Sequence, residues 1–280
     1  RKGIQDGAEE AGRNLVIVET NAQGDVSKES SFIDSLISAD VQAIIVSPVS
    51  ADGSYRAIRR AHDAGIPVVC YNTCLNEEDM KEYISAYAVG DPYDFGHKLG
   101  DAAADYFIAE GNDAPKIAVL NCEFVEVCVT RRKGFEDALM AKVPGAEIVA
   151  NQEGATLDKA VSVATTMLTS NPDVDAFFGE AGGATLGAAR AVRSQGREGE
   201  VVVFGGDMTT EIAQELADFT VIKGVVDISG QGLGKLALAQ AIKSIDGTPP
   251  EGIEVPYDID LYKSSADGKG WLEAHADGIP

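Results

Sequence analysis

The sequence predicts an α/β fold in two similar halves, each a parallel sheet covered by helices on both faces. Three observations carry this. Strand and helix signals alternate along the 280 residues. The strand signals are short, fully apolar runs, as in strands buried on both sides. Three segments also recur in register: "RKGIQDGAEEAG" (1–12) as "RKGFEDALMAKVPG" (132–145), "DVQAIIV" (40–46) as "DVDAFFG" (173–179), and "IPVVCYN" (66–72) as "VVVFGGD" (201–207). The offsets are 131, 133 and 135 residues, so order and spacing hold together, as in a duplicated winding.

Taken in order, the first half opens on the helix-like 1–12, and Leu15-Val16-Ile17-Val18 reads as a short strand. Val41–Val46 is the next strand, closed by Ser47-Pro48. Helical spacing covers Tyr55 to Ala64, with Gly65 where a helix C-terminus favours glycine. Ile66–Tyr71 follows as a strand. In the second half the strand "KIAVL" (116–120) and the loop "NCEFVEVCVT" (121–130) precede helix 131–142. The repeat therefore predicts a further strand and loop ahead of Arg1, since a doubly wound sheet places its first strand centrally. Helix 158–169, strand 174–179, helix 183–194, strand 201–205, helix 209–217 and strand 220–226 complete the second winding. Gly230–Ile245 is an amphipathic helix ended by Gly247, Pro249 and Pro250; "IEVPYDIDLY" is extended, and Trp271 with Leu272 anchors the tail.

Composition excludes several classes of function. With 23 Lys+Arg against 45 Asp+Glu the net charge is −22, which repels phosphate backbones and anionic lipid heads, so nucleic acid is not an expected partner. No run of 18 apolar residues is present to span a bilayer. There is no GxxxxGK[ST] loop, and "GEAGGATLGAAR" (179–190) lacks dinucleotide-binding spacing, so no cofactor is expected. His62, His97 and His275 are scattered and form no metal set, the first two reading as surface residues; with no GxSxG elbow either, the chain does not read as an enzyme. Cys70 and Cys74 flank one strand-end loop, Cys122 and Cys128 another; each pair can close its own loop or remain as buried thiols, while a bridge between the halves is less expected because it would oppose cleft motion.

In doubly wound sheets ligands bind beyond the carboxyl ends of the strands. Asn72 and Thr73 lie just past such an end, and the repeat puts Asp207 at the position equivalent to Asn72. Asp91 and Asp227 follow two further strands, and Arg131, Arg132 and Lys133 open the second-half helix near the same edge. Two facing lobes would offer an amide, carboxylates and a guanidinium to one cleft. That donor and acceptor set suits a small, neutral, polyhydroxylated ligand, because each hydroxyl both donates and accepts. Asp and Asn after strands also serve as turn formers and helix caps.

The segments "AIIVSPVSADGSYRAIRRAHDAGIPVV", "RRKGFEDAL", "SNPDVDAFFGEAGGATLGAARAV", "VVVFGGD" and "GQGLGKLALAQAI" resemble the periplasmic sugar-binding proteins of ABC transporters, of the ribose-binding type. The resemblance runs over almost the whole chain. It implies two Rossmann-like lobes with parallel sheets joined by a three-segment hinge, closing over one sugar. The implied lobes are residues 1–90 with 228–256, and 91–227 with 257–280. Asn72 falls where the family often has a sugar-contacting Asp, Thr73 where an Arg often follows, and Asp91 at the first crossover. Arg131 matches the family's sugar-binding Arg, Asp207 the Asp of its "GFD" motif, and Asp227 lies near a hinge position that is often Gln.

The chain departs from the pattern where the usual Asn reads Ala181, flanked by Glu180 and Gly182, and where a stacking aromatic reads Ala155. Glu180 and Ala181 are therefore expected at a ligand site adapted to a linear polyol or a smaller or modified sugar, with Tyr71, Tyr93 or Phe124 as replacement apolar surface. The implied protein is a periplasmic monomer that captures a monosaccharide or polyol and delivers it to a membrane-embedded ABC permease. The alternative within the wider family is the effector-binding core of a LacI-type repressor, or a sensor ectodomain.

Overall fold

The computed structural model describes residues 1–276 and residue 278, so the last part of the expected second lobe, Asp277, Ile279 and Pro280, lies outside the described residues. In chain order the elements are α1 (Lys2–Glu10), α2 (Val26–Ser38), β1 (Ile44–Val46), α3 (Ala51–Asp63), β2 (Val68–Tyr71), α4 (Glu77–Tyr83), β3 (Ala86–Val89), α5 (Pro92–Glu110), β4 (Lys116–Asn121), α6 (Glu126–Lys142) and β5 (Glu147–Glu153). They continue with α7 (Leu157–Ser170), β6 (Ala176–Gly179), α8 (Gly182–Ser194), β7 (Val202–Gly206), α9 (Thr210–Asp218), β8 (Ile222–Asp227), α10 (Gly230–Ile245), β9 (Glu254–Pro256), β10 (Asp260–Tyr262) and α11 (Ser265–Ala274). The chain forms two compact units, Arg1–Gly90 with Gly230–Asp258 and Asp91–Ser229 with Ile259–Pro280, and passes between them three times.

The first unit is built on a sheet of order β1-β2-β3-β9 in which each pairing is parallel. Ile58 and Ala61 of α3 pack with Val68 and Cys70 of β2 and with Met80 of α4 in its core. Helix α10 lies against β1, β2 and β3. Its buried Leu233, Ala237 and Ala241 recur every four residues and so form a single stripe. Helices α1 and α10 approach backbone to backbone, since a Cβ on Gly3 would sit 1.8 Å from the carbonyl oxygen of Gln231.

The expected strand at Leu15–Val18 does not form. The segment is irregular and Val16 is 88% exposed. An apolar run becomes a strand only when a neighbour takes its N–H and C=O groups. Strand β1 pairs with β2, and no described strand reaches residues 15–18.

The second unit has a sheet of order β10-β8-β7-β6-β4-β5, with β10 antiparallel to β8 and the other pairings parallel. Successive strand residues face opposite sides. Phe177 therefore joins a core with Ala164 of α7 and Ala188 of α8, while Phe178 joins one with Leu99 of α5 and Leu139 of α6. Phe178 stacks on Phe135 of α6 at 4.2 Å between ring centroids. Trp271 anchors α11 in the first of these cores, as expected of the tail.

Most predicted elements appear within a few residues of their expected bounds. Helix α6 begins at Glu126 rather than Arg131, because the loop before it is closed early by N–H bonds from Val125 to Cys122 O and from Cys128 to Val125 O. The single extended segment expected at 253–262 is two short strands, β9 and β10, belonging to different sheets.

Candidate functional site

In the first unit, β2 ends at Tyr71 and the chain turns through Asn72 at φ 60°, a left-handed conformation that Asn tolerates better than most residues. The Asn72 N–H donates to Ala88 O of β3 (3.1 Å), and Tyr87 Oη donates to Asn72 O (2.9 Å). The Asn72 side chain is exposed. Thr73 is engaged internally. Its Oγ1 donates to Pro48 O (3.0 Å), so the 2.8 Å bond to Ser47 Oγ is one it accepts. A Cys70–Cys74 disulfide closes this turn.

The second unit repeats the device. Asp207 follows β7 at φ 60°, and its N–H donates to Val226 O of the adjacent β8 (2.9 Å). The two residues paired by the internal repeat thus share both backbone conformation and hydrogen-bond pattern. Asp207 Oδ2 accepts from Gly182 N (2.9 Å), the first residue of α8, where a negative charge complements the helix dipole. That leaves Oδ1 of the carboxylate for another donor.

The order of this sheet reverses direction between β4 and β6, the crevice where doubly wound sheets place ligands. Arg131 and Glu180 belong to the segments leaving those two strands. Arg131 is 7% exposed; its Nη1 donates to Glu180 O (2.8 Å), and its guanidinium carbon lies 4.0 Å above the Phe95 ring. Arg131 Nε is buried without a partner among the described residues. Ala181 contributes a methyl group and a carbonyl already accepting from Thr185 N and Thr185 Oγ1.

Glu180 is fully buried. Its Oε2 accepts from Cys122 N (2.8 Å), and its Oε1 meets no protein donor among the described residues. Burial raises its carboxyl to a pKa of about 8, with Glu123 adding to the rise; the Cys122 N–H, Arg132 and Arg131 oppose it. Cys122 and Cys128 form a second disulfide. Their sulfurs and a Glu180 oxygen converge within 4.8 Å, but sulfurs bonded to each other are not the thiolates that bind metals.

Asp227 ends β8 and is 5% exposed, with Oδ1 accepting from Met208 N (2.8 Å). Burial lifts its pKa to about 6, helped by Asp207 and Asp260 and opposed by the Met208 N–H and His275. Asp91 is exposed and caps α5, accepting from Tyr93 N (2.8 Å) and Asp94 N (3.3 Å), so for this residue the capping alternative describes the observed contacts. Of the replacement aromatics, Phe124 is 72% exposed on the loop closed by the second disulfide, Tyr93 is exposed, and Tyr71 is half-buried.

Sequence reasoning missed Phe95 beneath Arg131, and Gly96, whose missing Cβ admits the Arg131 carbonyl. Their signal was their place near the start of a helix beginning at Pro92.

The periplasmic binding protein domain matches residues 1–249. The ABC transporter periplasmic-binding protein YphF of Escherichia coli is 57% identical over 282 residues, covering all of this chain and 86% of that protein. The ribose import binding protein RbsB of Salmonella typhimurium is 26% identical over 264 residues, covering 93% of this chain and 83% of that one. A Mycobacterium smegmatis protein crystallised with β-D-fucofuranose superposes with a TM-score of 0.86 at 27% identity, over 99% of this chain and 89% of that chain. On its fold and these relatives, the chain belongs to the periplasmic binding protein family of ABC transporters.

Proposed function

We propose that this solute-binding protein, a non-enzymatic transport component, captures a monosaccharide or polyol in the periplasm and presents it as a monomer to an ABC permease in the membrane. Its relatives favour transport over the repressor core or sensor ectodomain. No helix among the described residues is long and apolar enough to cross a membrane, which fits a protein that depends on a separate permease.

One observation carries the reading. Asn72 and Asp207 end equivalent strands in the same left-handed conformation, each with its N–H held by the next strand. Such turns fix the backbone that carries an amide in one unit and a carboxylate in the other. Asn72, Arg131 and Asp207 then contact the sugar directly, Asp207 Oδ1 accepting from one hydroxyl and the Arg131 guanidinium donating to another. Ala181 and Ala155 remove a polar contact and an aromatic platform, which favours a linear polyol or a smaller or modified sugar over a standard pyranose.

A thermal-shift screen of pentoses, hexoses and polyols, followed by titration calorimetry, tests this. At least one should bind, and Asp207→Ala and Arg131→Ala should each weaken it about tenfold or more, the loss of one charged hydrogen bond of about 1.5–3 kcal/mol. Unchanged affinity in both variants would refute the site; no binding across the panel would refute the ligand class.

A further inference from the structure

We infer that Glu180 does not meet the ligand but is a positioning residue, which locks the Arg131 guanidinium and the disulfide-closed loop 122–128 into one rigid ring. The inference rests on the sugar-binding role of Arg131 proposed above.

The ring can be followed bond by bond. Arg131 Nη1 donates to the Glu180 carbonyl. The side chain of the same residue accepts from Cys122 N. Cys122 is bonded through sulfur to Cys128. Cys128 and Arg131 are three residues apart on α6 and so share a helix face, which closes the circuit. Glu180 and Cys122 each contribute both a backbone and a side-chain link, and Glu180 is the member that joins Arg131 to the disulfide-closed loop.

Its backbone has little freedom. The Glu180 N–H donates to Leu120 O of β4, and a Cβ on the preceding Gly179 would lie 2.6 Å from Thr185 N of α8. The residue is wedged between two strands and a helix. Its carboxyl is fully buried and is held by Cys122 N, so its effect on a ligand passes through Arg131, which keeps 7% exposure.

The chemical state fits the geometry. A buried carboxyl accepting one N–H bond, with its other oxygen lacking a donor, is better accommodated as the neutral acid. Its raised pKa agrees, with Glu123, Arg132 and Arg131 as the charged groups that act on it. Arg132 is itself paired with Glu123 and with Glu136, so its charge is largely answered outside the ring. When Glu180 ionises, a new buried charge beside Arg131 competes with the carbonyl for the guanidinium and disturbs its placement.

The test compares wild type with Glu180→Gln and Glu180→Ala. Two readouts are used: affinity from pH 6 to 9 for a sugar found in the screen, and the rate at which dithiothreitol reduces Cys122–Cys128 in ligand-free protein, assigned by peptide mapping. Gln mimics the neutral acid. It should bind within about threefold of wild type, show a flat pH profile where wild-type affinity falls above about pH 8, and leave the reduction rate unchanged. Ala should weaken binding about tenfold or more and speed reduction to a similar degree. Gln as damaging as Ala to binding would mean that the carboxylate itself serves the ligand, and would overturn the inference. So would a wild-type pH profile retained in Gln, or unaltered reduction in Ala. If Ala does not fold, the Gln profile decides. If no sugar binds wild type, the functional reading fails while the reduction rates still judge the ring.

Discussion

A Cβ on Gly96 would lie 1.8 Å from the carbonyl oxygen of Arg131, so helices α5 and α6 cross at backbone contact at the residue that carries the candidate sugar-binding guanidinium. Gly134 makes the reciprocal approach, since a Cβ there would fall 2.2 Å from Tyr93 O. Backbone cannot rotate aside as a side chain can, so adding a methyl group must push the helices apart. Gly96→Ala should therefore cost about 1–3 kcal/mol or more, despite the better helix propensity of Ala. It should also weaken sugar binding by moving Arg131. Thermal unfolding with calorimetry checks both; a variant as stable as wild type would show that this crossing is loose.

Stability should fall as pH rises from about 4 to 8. Glu180 has a pKa raised from 4.5 to about 8 and Asp227 from 3.8 to about 6, in both cases chiefly by burial. Between each pair of values the folded state holds a proton that the unfolded state has lost. The unfolded chain binds fewer protons there, so the stabilisation present below the unfolded value is lost by the folded value. Asp227 acts in the lower window and Glu180 up to about pH 8, together on the order of several kcal/mol at about 1.4 kcal/mol per unit. Melting curves at pH 5 and pH 8 should show the lower transition at pH 8. Glu180→Gln should remove most of the difference above pH 6.

Both disulfides close short loops at strand ends, with sequence separations of 4 for Cys70–Cys74 and 6 for Cys122–Cys128. Loop-closure entropy for rings this small is about 2 kcal/mol each. Replacing either pair with Ser should cost that order of stability. The two losses should differ in function. The first bridge braces the turn carrying Asn72; the second joins the start of α6 to the loop that holds Glu180, so its removal should also reduce affinity by displacing Arg131. Calorimetry on the two double variants separates these effects, and equal affinity in the Cys122→Ser/Cys128→Ser protein would show that the bridge serves stability alone.

The fold was largely legible because its signals are local and duplicated. Apolar runs such as Val202–Phe204 and Ala176–Phe178 sit in the sheet where their patterning placed them. Leu15–Val18 misled because strand formation depends on a neighbour, which a single run does not encode. The equivalence of Asn72 and Asp207 was also legible, since strand ends can be counted along the chain. What could not be read was burial at the site. Glu180 and Asp91 are both acidic residues after strands, yet one is fully enclosed and the other is an exposed helix cap. That difference arises from Phe95, Gly96 and the Cys122 loop, which meet Arg131 and Glu180 only through long-range packing.

Asn72 and Asp207 allow backbone and side-chain roles to be separated. At φ 60° a residue with a Cβ is strained, less so for Asn and Asp than for Ala. Substituting Ala would therefore add strain while deleting the group proposed to contact the sugar, mixing two effects. Glycine accepts this conformation without strain, and its extra freedom in the unfolded chain offsets that relief to within about 1 kcal/mol. Asn72→Gly and Asp207→Gly should accordingly melt close to wild type, with Asp207→Gly the lower of the two because it also loses the bond to Gly182 N. Sugar affinity should nonetheless fall about tenfold or more in each, as a polar contact is removed from an intact turn. If the glycine variants bound sugar as wild type does, both residues would be turn formers, and the ligand contacts would have to be sought elsewhere along the strand ends.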